Sequence, residues 1–276
     1  MTLPATPTPR FDTFYKHDAL TRLLLDYADA HPTLVSVQSI GKSYEGRDIW
    51  VASITNTATG ADTDKPAFWA DGNIHAGELT ASTTCLYYLH QLVTGYGIDL
   101  QITQLLDTRA IYLCPRLNPD GAELALADRP RHIRSSTRRY PFEEEPVEGL
   151  TIEDVDGDGR VLFMRIPDPH GAYKKCAADP RLMVPREPGE FGGEYFRVMP
   201  EGTLKRYDGL MISVNKDLEG LDLNRNFPTG WRQEFEQVGA GPYPASEPEV
   251  KAMVACCTCA SPIRTAATRS IRRSPA

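Results

Sequence analysis

The run Asp71-Gly-Asn-Ile-His75-Ala-Gly-Glu78 sets an imidazole and a carboxylate three residues apart, and both groups suit zinc. In a chain with six histidines such a pair also arises by chance, so its position has to support it. It lies where a short apolar run, Ala67-Phe-Trp-Ala70, meets a helical pattern, and open α/β sheets carry their sites at such strand ends. A second group of interest is Asp222-Leu-Asn-Arg-Asn-Phe227. There Arg225, flanked by asparagines, offers a planar donor fork suited to capturing a carboxylate.

Four further motifs have simpler readings when taken singly. Arg131-His-Ile-Arg134 is a solvated basic face, and Asn118-Pro-Asp-Gly121 is what a tight chain reversal asks for. Ser246-Glu-Pro-Glu249 opens a helix, with Ser246 as N-cap and acids in the first turn. Asp154-Val-Asp-Gly-Asp-Gly159 matches the opening of a calcium loop, which makes Ca2+ at Asp154, Asp156 and Asp158 an option. Arg165 stands where the bidentate glutamate belongs, and strand-like residues follow instead of a helix, so a solvated acidic turn is the favoured reading.

The elements that must position these groups are legible from periodicity. Leu20, Leu23, Leu24 and Tyr27 predict a helix over residues 17–30. Residues 35–40 and 48–54 read as strands joined by a Gly-flanked turn, and 67–70 as a strand buried on both faces. Helices are expected over 78–93 and 100–106, then a strand over 110–114. Strands alternating with helices predict an α/β fold with a mixed, mainly parallel sheet. Residues 140–219, rich in Pro, Gly and charge, read as a long insertion over one end of that sheet, with a strand over 161–166. Cys85, Cys114 and Cys176 read as buried thiols.

The joint order of the motifs says more than any one of them. His-x-x-Glu, Asn-Pro-Asp-Gly, Arg-x-x-Arg, Asn-Arg-Asn-Phe and Ser-Glu-x-Glu, preceded by Ile40-Gly-Lys-Ser-Tyr-Glu-Gly-Arg47, resemble the zinc carboxypeptidases of the M14 peptidase family. The Asp154–Gly159 stretch looks like that of a bacterial branch. The resemblance runs from about residue 15 to residue 253. It implies a three-layer α/β/α fold, incomplete at the C-terminus, and hydrolysis of C-terminal residues from peptides. It implies a zinc ion held by His75 and Glu78, activating water and polarising the scissile carbonyl. Arg134 matches the arginine that steadies the oxyanion, and Asn224 and Arg225 match the pair that grips the substrate's free C-terminal carboxylate. Gly77 departs from the pattern, since some members carry a substrate-binding arginine there.

The resemblance also implies a third histidine ligand, a tyrosine and a general-base glutamate beyond Glu249. No His, Tyr, Asp or Glu follows that residue. Residues 256–276 hold three cysteines and four arginines and show no periodicity. A frameshift near Ala255 is the expected cause, with a thiol metal site and a basic tail as rivals. The expected organisation is a flexible lead-in at 1–14, a partial catalytic domain at 15–255 and an aberrant tail. Competing readings of function are a non-catalytic carboxylate or peptide binder, a non-functional remnant, and an amidase acting on a non-peptide or cell-wall amide. A net charge of −7 argues against nucleic acid or an anionic membrane as partner. The N-terminus shows no secretory leader, which makes the cytoplasm the expected location.

Overall fold

A computed structural model describes residues 3–259. They form two compact units: one contains the described residues up to Glu143 and from Asp217 onward, the other is Glu144–Lys216.

The first unit carries α1 (His17–Ala30), β1 (Val35–Lys42), β2 (Asp48–Ile54) and β3 (Ala67–Asp71). These are followed by α2 (Leu79–Gly95), α3 (Leu100–Thr108), β4 (Ala110–Cys114) and α4 (Pro119–Ala125). The sheet order is β1-β2-β4-β3. β1 and β2 are antiparallel, with Val35 opposite Ile54, and β2 runs antiparallel to β4. β3 and β4 are parallel, in register from Ala67 opposite Ala110 to Asp71 opposite Cys114.

Side-chain alternation splits the sheet between two cores. Ile54, Ile111 and Leu113 pack with Leu20, Leu24 and Tyr27 of α1 and Leu86, Leu89 and Leu92 of α2. Ile49, Val51, Ala110, Tyr112 and Cys114 face the other way and meet Ala252, on a helix that runs over Pro248–Cys259. Helices therefore cover both faces, which is the three-layer arrangement. Helix starts are set locally, as where Asp99 accepts hydrogen bonds from the amides of Gln101 (2.8 Å) and Ile102 (3.3 Å) ahead of α3.

Three expectations need correction. β3 is not buried on both faces: it is outermost among the described strands of the sheet, and Phe68 is 55% exposed. Its apolar character reads the same whichever place in the sheet it takes. Asn-Pro-Asp-Gly is not a reversal but a helix start. Asn118 caps α4 by accepting from Gly121 N at 2.9 Å, and Pro119 takes the first helical position, where no amide is missed. Cys85 and Cys114 are buried thiols, and burial pushes Cys85 up to about 11, but Cys176 is only half-buried.

The second unit lies inside the expected insertion and has its own two sheets. β5 (Gly149–Ile152) pairs with β10 (Gly202–Lys205), both antiparallel. β6 (Phe163–Pro167), β7 (Tyr173–Lys175), β8 (Met183–Pro185) and β9 (Phe196–Pro200) are ordered β6-β9-β7-β8. Cations stack on its few buried aromatics. The Arg186 guanidinium lies 4.0 Å from the Tyr195 ring centroid, and Lys175 Nζ lies 5.3 Å from that of Phe196.

The helix over Pro248–Cys259, here α5, runs past the boundary expected at 255/256 and takes in the first residues of the expected tail. Residues 260–276, on which most of the frameshift reading falls, lie outside the described residues. Among the described residues, no helix is long and apolar enough to cross a membrane.

Candidate metal site

Beyond Asp71 the chain leaves β3 and crosses the end of β4. Gly72 N donates to Cys114 O (3.0 Å), and Leu117 N returns a bond to Gly72 O (3.0 Å). Glycine suits this close crossing, because a Cβ would crowd the Ala81 carbonyl at 3.0 Å. Asn73 follows in the left-handed region (φ 56°), and its buried amide holds that conformation. Asn73 Nδ2 donates to His75 O (2.7 Å) and Ala76 O (3.2 Å), while Oδ1 accepts from Ser82 Oγ (3.1 Å). The carbonyls around His75 are thus held from beneath, by a residue the motif's spacing does not single out.

His75 is largely buried and Glu78 exposed, with side-chain exposures of 12% and 55%. His75 Nδ1 lies 2.8 Å from Glu78 Oε1. His75 Nε2 is buried without a hydrogen-bond partner, and the nearest carboxylate oxygen recorded beside it is Asp222 Oδ1 at 3.4 Å. Each ring nitrogen thus faces a carboxylate oxygen, Nδ1 at hydrogen-bond distance and Nε2 further off. Asp222 is buried and accepts from Asn224 N through Oδ1 (2.9 Å) and from Arg134 Nε through Oδ2 (2.9 Å). One aspartate therefore draws His75 and Arg134 together. Its only sequence signal is its place two residues before Asn224, at the head of the turn Leu223–Arg225.

The basic segment is not a plain solvated face. Arg131 forms a two-pronged pair with Glu219, at 3.0 and 3.4 Å. His132 lies against Gly77, where a Cβ would stand 3.4 Å from its ring. Asn224 is exposed, and half-buried Arg225 donates to the Asn224 carbonyl at 3.2 Å. The structure brings His75, Glu78 and Arg134 into one constellation. Asn224 and Arg225 join it through the backbone turn that Asp222 caps.

The donor chemistry fits part of a zinc site. Imidazole Nδ1 and a carboxylate oxygen would take two corners of a tetrahedron. Among the described residues, no third His, Cys, Asp or Glu donor groups with this pair, and the cluster with metal-ligand spacing is Asp154, Asp156 and Asp158 in the second unit. That cluster is a backbone-bonded turn: Asp154 accepts from the amides of Gly157 (2.6 Å) and Gly159 (2.9 Å), and Asp156 and Asp158 from those of Asp158 and Arg160.

Comparison with known proteins places this arrangement. A family model described as zinc carboxypeptidase matches residues 20–158 and 199–268, more than half of the chain. The chain belongs to the zinc carboxypeptidase family. The stretch skipped by the match, 159–198, falls within the second unit. A zinc carboxypeptidase of Saccharothrix mutabilis subsp. capreolus is 37% identical over 97 residues, 35% of this chain and 22% of that protein. Carboxypeptidase A1 of Bos taurus is 34% identical over 117 residues, 42% of this chain and 27% of that one. The crystal structure of carboxypeptidase A from Helicoverpa armigera superposes with a TM-score of 0.52 at 21% identity, over 92% of this chain and 44% of that one. Thrombin-activatable fibrinolysis inhibitor also gives 0.52, at 20% identity, over 90% and 45%. These last two likenesses speak to the fold. The chain spans a quarter or so of the curated relatives it aligns with and under half of these structures.

Proposed function

We propose that this member of the family serves zinc-dependent hydrolysis of C-terminal residues from peptides. The observation that carries the reading is the linked set His75–Glu78, His75–Asp222 and Asp222–Arg134, at 2.8, 3.4 and 2.9 Å. His75 Nδ1 and the Glu78 carboxylate would hold the zinc, which when bound supplies an activated water and a polarised carbonyl. Asp222, behind Nε2, would help orient the His75 ring. The Arg134 side chain, half exposed and anchored through Nε, presents the rest of its guanidinium to an oxyanion. Asn224 and Arg225 would receive the peptide's terminal carboxylate as a donor pair. A cytoplasmic location is part of this proposal.

The test is zinc titration of the full chain, followed by assay on a blocked dipeptide and its C-terminally amidated twin. Wild type should bind zinc, and His75→Ala and Glu78→Ala should each abolish that binding. Cleavage should be confined to the free acid and should fall on Arg225→Ala. Equal cleavage of the amide would overturn the role of Asn224 and Arg225. A second reading is favoured by the absence of a third donor beside the pair among the described residues: a carboxylate binder that does no chemistry. Peptide affinity that is lost in Arg225→Ala, with no zinc taken up, would select it.

A further inference from the structure

We propose that Asn118 is a positioning residue: its side-chain amide sets the His75 loop and the Arg134 loop at their working separation. The proposal rests on the zinc reading of His75 and Arg134. Asn118 is fully buried, and both hydrogens of its amide are used. Nδ2 donates to Ile74 O (3.2 Å), the residue before His75, and to Ser135 O (2.6 Å), the residue after Arg134. Oδ1 accepts from Gly121 N (2.9 Å). The two donated bonds leave one planar group toward carbonyls on separate loops, so the amide fixes the distance between them.

Neighbouring bonds reinforce this joint. Asn118 N donates to Asn73 O (3.1 Å), Ala76 N to Arg134 O (3.3 Å), and Ser135 Oγ to Ile74 O (2.6 Å). Ser135 Oγ also accepts from Leu223 N (3.3 Å), which brings in the turn headed by Asp222. The packing leaves no slack: a Cβ on Gly121 would stand 2.5 Å from Asn118 Nδ2, 2.6 Å from Ser135 O and 2.8 Å from Ala76 Cβ.

The same short motif has a second arm that serves as an internal control. Asp120, two residues on and equally buried, accepts from Ser43 Oγ (2.7 Å), Glu45 N (2.8 Å) and Arg47 Nη1 (2.8 Å). It ties α4 to the β1–β2 turn and makes none of the bonds to the His75 or Arg134 loops. Damage to stability should thus come from either arm, and damage to the metal ligand from the Asn118 arm alone.

The experiment compares Asn118→Asp, Ser135→Ala and Asp120→Asn in the full chain. Asn118→Asp keeps the shape and the acceptor for Gly121 N, but turns a carboxylate toward two carbonyls. The readouts are melting temperature, cobalt(II) affinity from its visible spectrum, and the 15N shifts of the His75 ring in metal-free protein. Asn118→Asp should weaken cobalt binding about tenfold or more, the usual effect of losing an outer partner of a ligand, and should shift the ring signals. Ser135→Ala, the milder change that preserves folding, should move both in the same direction by less. Asp120→Asn should lower the melting temperature while leaving both site readouts unchanged. Asn118→Asp or Ser135→Ala protein with unshifted His75 signals, or Asp120→Asn matching them, would overturn the proposal. If wild type binds no cobalt, the zinc reading fails by itself, and the ring shifts still decide the role of Asn118.

Discussion

Two acidic segments of this chain look alike in composition and behave in opposite ways. Asp154, Asp156 and Asp158 stand together with metal-ligand spacing, yet they sit in an exposed turn whose carboxylates accept hydrogen bonds from nearby backbone amides. Glu247 and Glu249 read as ordinary acids in the first turn of a helix, yet both are buried. Glu247 Oε1 accepts from Arg138 Nη1 (2.8 Å) and Ser246 Oγ (2.7 Å), and Glu249 Oε1 from Tyr44 N (2.8 Å), while the Oε2 atom of each has no partner. Ser246, expected to cap α5, instead donates to Glu247 and accepts from Asn226 Nδ2 (2.9 Å). The difference teaches that acidic spacing describes what a segment could bind, whereas burial decides what its charges do to stability.

The comparison breaks most easily at Glu247. Glu247→Ala removes the buried acceptor of two hydrogen bonds, from half-buried Arg138 and from Ser246, and should destabilise the protein by about 3 kcal/mol. Urea unfolding at pH 7 measures it, and a loss comparable to that at an exposed acid would erase the contrast. Glu249 sharpens the contrast through pH. Burial, with Asp120 and Glu247 nearby, pushes its carboxyl up to about 7, above an ordinary value of 4.5, while the Tyr44 amide pulls the other way. The folded protein therefore holds a proton that the unfolded chain has released. The stability this contributes is complete below pH 4.5 and is lost as pH rises through 7, by about 3 kcal/mol for a single group. Glu249→Gln should flatten that slope between pH 4.5 and 7 in a series of unfolding curves; an unchanged slope would assign it to other groups.

The exposed segment should answer more weakly. Asp154→Ala removes two bonds to turn amides and should cost the second unit about 1 kcal/mol, read as faster hydrogen exchange at the amides of Gly157 and Gly159. The smallest effect is expected from calcium, which should leave the melting temperature where it was, since the turn already satisfies its carboxylates with amides. A clear rise would make the two acidic segments differ in a new way, one a cation site and the other a proton site.

Much of the fold could be read in advance where local periodicity governs. The helix over 17–30 and the strands over 48–54 and 110–114 appear with the expected bounds, because their apolar spacing matches one element and excludes the other. The order of the motifs was enough to lead to the zinc carboxypeptidase family. His75 and Glu78 could be singled out as a candidate pair from their spacing near a strand end together with the order of the other motifs. Asp222 could not, because its role depends on a loop almost 150 residues away in sequence. The same holds for Asn118, which looks like a turn residue until the carbonyls of Ile74 and Ser135 lie above its amide.

The sequence by itself thus determined the local elements, the family and the two residues proposed as metal donors, all of which follow from neighbours close along the chain. Only the tertiary structure decided which carboxylate stands behind His75, which acids are buried and which are wet, and that β3 is outermost among the described strands. Those outcomes depend on which distant segments meet, and a burial or a hydrogen bond exists only once both partners are in place.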